Sequence, residues 1–294
     1  MSIIEALLLG LVQGITEFLP VSSSGHLAIL ENILKIDTGS NLFFGVILHL
    51  GTLGAILGAF RKEIKKMVLE ICRSIYDGIE NIKTYFHNRH EEDARRYRKI
   101  ISNNYRKLLL LLLVSTISTA ILGFLLRDFA EAAGQNLLAP AMGLFITGIV
   151  LFVTDFFPQG KKIPKDVSYG TALAIGIFQG IAVFPGISRS GLTIAVCLMF
   201  GFNRKFSVKY SFLLAVPSII GAVILEAFQL PGMGITWQEG GIYILAAVLA
   251  GFVGYFCIQK MLVFIQKRRF RFFAVYCFII GAAAAAGSFY LTGA

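Results

Sequence analysis

Apolar and polar residues along this chain segregate into long blocks, without the short amphipathic period of a soluble fold. Six blocks, 42–60, 108–126, 138–156, 207–228, 242–265 and 272–291, stay apolar for about the 20 residues that an α-helix needs to cross a bilayer. Two further apolar regions, 3–34 and 169–201, are each interrupted midway by Pro, Gly and Ser. Irregular backbone at membrane depth is tolerated only where it is buried in protein or lines a wet cavity. The pattern predicts an all-α polytopic membrane protein, one membrane domain over 1–294, with six transmembrane helices and two broken re-entrant helical hairpins.

Composition agrees. Charged residues make up 15% of the chain and hydrophobic ones 56%, against about 25% charged in a soluble domain. That excludes a disordered chain, a nucleic-acid-binding domain and an ordinary water-soluble enzyme. Of the 27 basic residues behind the net charge of +10, thirteen fall in the 47-residue stretch 61–107, with seven acids that leave it at +6. Because Lys and Arg accumulate on the inner side of membrane proteins, this stretch is expected to be a cytoplasmic loop, with a lipid-headgroup or partner site as the alternative. KKIPK at 161–165, NRK at 203–205 and KRRFR at 267–271 fall on the same side, and 127–137 and 230–241 fall outside. By parity 169–201 starts and ends inside, as a re-entrant hairpin or two short crossings, and 3–34 starts and ends outside. Cys72, Cys197, Cys257 and Cys277 are scattered without a CxxC pair, which argues against a disulfide framework or a thiolate metal site. The apolar start lacks a basic n-region and a small-residue cleavage pattern, so it is read as the first hairpin and not as a removable signal.

The two interrupted regions resemble each other. GLVQGITEFLPVSSSG at 10–25 aligns without a gap on GIFQGIAVFPGISRSG at 176–191, with eight of 16 positions identical, Gln, Phe and Ser among them. Three expected spans lie between the copies. An odd number makes equivalent points face opposite sides, so repeat 1 (about 1–157) and repeat 2 (about 168–294) are expected to form an inverted-topology repeat whose broken hairpins meet near the midplane.

Ionisable groups at membrane depth are costly and mark function by default. The two regions hold Glu5, Glu17, His26 and Glu31 in the first and Arg189 alone in the second. Glu5 and Glu31 lie near helix ends; Glu17, His26 and Arg189 lie in or beside the breaks. Gln13 and Glu17 are four apart and share a helix face. Ser22, Ser23, Ser24 and Gly25 in one break, and Ser188 and Ser190 beside Arg189 in the other, sit where free N–H groups at a helix start bind anions. Arg189 offers a planar fork for phosphate oxygens. Together these residues supply a phosphate cradle, a hydroxyl nucleophile and a candidate base. A plainer reading has serines that only cap helices and an arginine buried in an ion pair with Glu17, but one pair does not call for two broken hairpins.

QGIT followed by EFLPVSSSGH, and PGISRSG followed by FSVKYSFLLAVP, resemble the undecaprenyl-diphosphate phosphatases of the bacitracin-resistance (BacA-like) family. The resemblance implies an integral membrane phosphatase that converts undecaprenyl diphosphate to the monophosphate carrier of peptidoglycan synthesis, in the plasma membrane, with a site facing the extracytoplasmic side. It further implies Ser23 as attacking hydroxyl, with direct attack by water left open, and Glu17 as the group that activates or orients it. It implies Arg189 as the phosphate-binding arginine, His26 as a helper, and Gln13, Ser22, Ser24, Gly25, Ser188, Ser190 and Thr193 as substrate-binding. The family's Mg²⁺ or Ca²⁺ stimulation implies a divalent cation at Glu17, weakened here because Gln13 stands where some members carry a second Glu. The expected partners are the polyprenyl diphosphate and membrane lipids, with no nucleic acid and with a homodimer left open. A lipid-phosphate flippase, alone or beside hydrolysis, is the competing reading, since inverted repeats with broken helices also build transporters.

Overall fold

The computed structural model describes residues 1–36, 41–91, 93–134, 136–227, 236–265 and 270–292. Residues 230–235 of one expected outer segment and 267–269 of the KRRFR run lie outside the described residues. Among those described the fold is helical, apart from one isolated β-bridge between Lys162 and Phe202. The helices are α1 (Ile3–Thr16), α2 (Ser23–Leu34), α3 (Asn41–Ala59), α4 (Arg61–His90), α5 (Asn104–Gly134), α6 (Leu138–Thr154), α7 (Tyr169–Ile181), α8 (Arg189–Met199), α9 (Arg204–Ala227), α10 (Trp237–Phe264) and α11 (Phe270–Thr292), with a 3₁₀ turn at Pro164–Asp166.

This is a multi-pass membrane protein. Four helices, α5, α9, α10 and α11, are long and apolar enough to cross a bilayer, and α3 is a fifth candidate when joined to α4. The sixth expected span, α6, has only 17 residues, or about 26 Å at 1.5 Å per residue. Each interrupted region folds as a helix, a break and a helix. At 11 to 14 residues apiece, none of α1, α2, α7 and α8 is long enough to cross alone.

The charged stretch 61–107, expected as a loop, is mostly helix. α4 runs for 30 residues and turns 86° away from α3 at Phe60. The density of Lys, Arg and Glu hid its period. The return path is held by Arg106, whose Nε donates to Glu70 at 2.8 Å and whose Nη1 donates to Asp77 at 2.7 Å. Hydrogen bonds from Arg106, then Asn103 and Arg73, hold the Glu70 carboxyl down at about 2.

The two halves interlock. α1 lies along α10, and α7 lies along α5. Small residues permit close approach, as in other membrane helix pairs. A Cβ on Gly10 would sit 2.5 Å from the Ala246 carbonyl oxygen, and one on its counterpart Gly176 would sit 2.2 Å from the Ser115 carbonyl oxygen. Packing therefore brings both breaks to the middle of the bundle, where Phe18 meets Phe212 edge to face at 5.5 Å between centroids.

Candidate active site

Each break restarts a helix with a serine cap. Ser22 Oγ accepts from the Gly25 N–H at 3.2 Å, and Ser188 Oγ accepts from the Gly191 N–H at 3.0 Å. The second serine of each motif stands beside the first, at 3.3 Å for Ser22 and Ser24 and 3.4 Å for Ser188 and Ser190. The breaks also touch reciprocally: a Cβ on Gly25 would meet Gly186 Cα at 3.0 Å, and one on Gly191 would meet Pro20 Cβ at 3.2 Å. Gly186 has φ +84°, a left-handed conformation that suits glycine. Its carbonyl accepts from Thr147 Oγ1 on α6 at 2.9 Å, and Thr147 Oγ1 accepts in turn from the Ser188 N–H at 2.9 Å.

The N-termini of α2 and α8 thus converge, and the first residue of each helix, Ser23 and Arg189, reaches the same carboxylate. Ser23 Oγ donates to Glu17 Oε2 at 2.6 Å, and Arg189 Nη2 pairs with Oε1. Gln13 Nε2 donates to Oε2 at 3.1 Å from one turn earlier on α1. His49 of α3 adds Nδ1, 3.1 Å from Gln13 Nε2 and 3.6 Å from Glu17 Oε1. The Glu17 side chain is 4% exposed and that of Arg189 27%. Ser190 Oγ lies 3.4 Å from the carbonyl oxygens of Glu17 and Leu19, which ties α8 to the first break. Phe18, Ser211, Phe212 and Ala215 complete a narrow pocket around the pair.

Of the residues singled out from sequence, Gln13, Glu17, Ser23, Arg189 and Ser190 are brought together; Ser22, Ser24, Gly25 and Ser188 form the caps. The ion pair of the plainer reading is present, and it is one of four contacts on that carboxylate. Two residues are directed elsewhere. Thr193 is buried in the second hairpin, where its Oγ1 donates to the Arg189 carbonyl at 2.6 Å and lies 3.4 Å from Gln179 Oε1. His26 points away from Ser23, its Nδ1 2.7 Å from the Ser22 carbonyl oxygen and its Nε2 2.8 Å from the Tyr276 hydroxyl of α11. A carbonyl only accepts, so Nδ1 carries the hydrogen and a neutral ring accepts from Tyr276 through Nε2. Both ring nitrogens of His26 are thus engaged, one by the first break and one by α11.

His49, Tyr276 and Thr147 were not foreseen. His49 carries a signal in the sequence, a lone ionisable group within an apolar block.

The residues present do not fit a resident divalent cation. Among the described residues no three His, Cys, Asp or Glu side chains gather as a cage, and both oxygens of Glu17, the carboxylate at this centre, are engaged by donors. Gln13 Oε1 is buried without a hydrogen-bond partner, a single neutral acceptor.

Fold and geometry define a polytopic membrane protein in which a serine, a carboxylate and an arginine are brought into contact by two helix breaks. Residues 6–283 match the family described as bacitracin resistance protein BacA, and the chain belongs to it. Similar curated proteins are each named undecaprenyl-diphosphatase. That of Methanosphaera stadtmanae is 38% identical over 286 residues, covering 96% of each chain. That of Alkaliphilus metalliredigens is 36% identical, covering 96% of this chain and 97% of its own. That of Desulfosudis oleivorans is 39% identical over 278 residues, covering 95% of this chain and 96% of its own.

Proposed function

We propose that this protein hydrolyses undecaprenyl diphosphate to undecaprenyl phosphate and phosphate, recycling the lipid carrier of peptidoglycan synthesis and so conferring bacitracin resistance. The observation that carries the reading is the Ser23 hydroxyl 2.6 Å from Glu17, at the head of one helix, facing the arginine at the head of another that shares the same carboxylate.

In this reading Arg189 exchanges Glu17 for the incoming terminal phosphate, and the N–H groups at the starts of α2 and α8 hold the remaining oxygens. Freed of Arg189, Glu17 accepts the proton from Ser23 as Oγ bonds to the terminal phosphorus and the phosphorus–oxygen bond of the anhydride breaks. The leaving group is the lipid monophosphate, already stable as an anion. Glu17 passes that proton to the departing lipid monophosphate, then takes one from a water that attacks the phosphoserine, and returns it to Ser23 Oγ as phosphate is released. Arg189 is aimed at charge that builds on the transferring oxygens. Direct attack by water activated through Glu17 is the variant mechanism. A divalent cation, where used, arrives on the diphosphate, as Mg²⁺ commonly does.

The same reading gives the chain six spans and an inverted-topology repeat in the plasma membrane. The shared serine caps, the reciprocal contacts of Gly25 with Gly186 and Gly191 with Pro20, and the paired packing of Gly10 and Gly176 support it. The site opens to the extracytoplasmic side, with the polyprenyl tail left in lipid. The flippase reading rests on the repeat alone.

The test is phosphate release from a polyprenyl diphosphate by purified protein in detergent, with acid quenching of a substrate labelled in its terminal phosphate. Release, with label retained on the wild-type chain and absent from Ser23→Ala, supports the serine route. Release with no trapped label supports water, and no release at all overturns the hydrolase.

A further inference from the structure

We infer that α4 is a membrane-surface helix, seated on an anionic lipid leaflet by an apolar stripe that runs off the edge of the helical bundle. Ile64, Val68, Ile71, Ile75, Ile79, Ile82 and Phe86 recur at spacings of four, three, four, four, three and four, which puts them on one face of a helix. From Ile64 to Phe86 the stripe is about 33 Å long at 1.5 Å per residue. After Ile64, each member is between 43% and 59% exposed.

Three observations identify what covers it. First, α4 turns 86° from α3, so with α3 taken as one of the six spans of the proposed topology, α4 runs along the bilayer and not through it. Second, the orientation about its own axis is fixed. Ile64, first in the stripe, packs against the bundle core, so the stripe continues on the side that looks towards the membrane-crossing helices. The far side is occupied: Asn81 pairs with the backbone of Arg98 at 2.9 and 2.7 Å and Asn88 with that of Arg95 at 2.9 and 2.7 Å, while Glu70 and Asp77 hold Arg106. The returning segment thus lies along the polar face and leaves the apolar one uncovered. Third, Arg61 and Lys65 flank one end of the stripe and Arg89 the other, all exposed. Exposed Tyr76 and Tyr85 stand to either side of it, the aromatic pairing favoured at headgroup level. An apolar face of this kind with cationic flanks binds anionic interfaces, each basic residue strengthening association by about five-fold.

The experiment uses the full chain carrying Cys72→Ser to remove the exposed native thiol. Single cysteines at Ile75 and Ile82 on the stripe, and at Thr84 on the opposite side, carry an environment-sensitive fluorophore. The protein is reconstituted into phosphatidylcholine vesicles with and without phosphatidylglycerol. The expected result is quenching of the stripe labels by lipid-borne quenchers and of the Thr84 label by aqueous iodide, with deeper stripe quenching when phosphatidylglycerol is present. Lys65→Gln with Arg89→Gln is expected to abolish that lipid dependence while leaving phosphate release unchanged. Iodide quenching of the stripe labels in both vesicle types would overturn the proposal. So would shielding from both quenchers with a doubled mass in detergent, which would assign the stripe to a second copy of the chain.

Discussion

Ser22 and Ser188 occupy equivalent positions in the two breaks and do the same work, each capping its helix through the N–H three residues on, at 3.2 and 3.0 Å. One residue later the likeness ends, for α2 begins with Ser23 and α8 with Arg189. At the end of the preceding helix, Glu17 in one break is matched by Val183 in the other. A duplicated frame therefore presents two helix starts to one point, and the diverged positions supply a hydroxyl and carboxylate from one side and a cation from the other. Neither hairpin contains the centre by itself.

The sharpest way to break this comparison is to remove the diverged groups. Ser23→Ala is expected to lower kcat for phosphate release by about 10³-fold or more, and Glu17→Gln by about 10²- to 10⁴-fold, the range for loss of a general base. Arg189→Lys keeps the charge but not the planar fork, and is expected to lose about 10²- to 10³-fold. Unchanged melting temperature in detergent would show that the loss is chemical. Near-normal turnover in either the Ser23 or the Arg189 variant would mean that the two helix starts do not divide the labour.

Much of this frame was legible from residues alone. The Pro, Gly and Ser interruptions mark helix ends that fall at Thr16, Ser23, Ile181 and Arg189, because capping chemistry is local. The meeting of Glu17 with Arg189 followed from the repeat, since equivalent breaks must share a centre. His49 was legible as a lone ionisable group in an apolar block, but its contact with Gln13 was not, because that depends on how α3 is rotated, a matter of packing. Motif position does not carry side-chain direction: the Thr193 hydroxyl is turned to the Arg189 carbonyl and the His26 ring to Tyr276. The helix α4 was hard to read because thirteen basic and seven acidic residues in 61–107 interrupt its apolar spacing.

A smaller effect tests the frame. Gly10→Ala would press a Cβ to 2.5 Å from the Ala246 carbonyl oxygen, and Gly176→Ala to 2.0 Å from Ser118 Oγ and 2.2 Å from the Ser115 carbonyl oxygen. Each is expected to cost about 1–3 kcal/mol of stability by overpacking, read as a lowered thermal midpoint in detergent. The two should differ in activity, because α1 carries Gln13 towards the carboxylate whereas α7 does not. Equal losses of kcat would blur the distinction between frame and chemistry.

Gln13 and Gln179 sharpen it further, being identical residues at equivalent places. Gln13 bonds Glu17 and meets His49, whereas Gln179 bonds Ser218 at 2.8 Å within the frame. Gln13→Ala is expected to reduce kcat by about ten-fold, the worth of one hydrogen bond to a charged group. Gln179→Ala is expected to lower the thermal midpoint with kcat retained. A kcat loss of the same size in both would count against the asymmetry.

The smallest expected difference lies in the caps themselves. Ser22 carries φ +69°, a left-handed conformation that strains a residue with a Cβ, whereas Ser188 caps α8 at φ −73°. Glycine at Ser22 would lose the Oγ that accepts from Gly25 but would relieve that strain, and glycine tolerates the cap position itself within a few tenths of a kcal/mol. At Ser188 there is no strain to relieve, so glycine there loses the same hydrogen bond and adds only unfolded-state freedom, a further cost of about 0.4–1 kcal/mol. Ser22→Gly should therefore leave the thermal midpoint nearly unchanged and Ser188→Gly should lower it. The reverse order would mean that the first break is held by its serine and not by the chain path, and that the two caps, alike in their hydrogen bonds, are not alike in what they restrain.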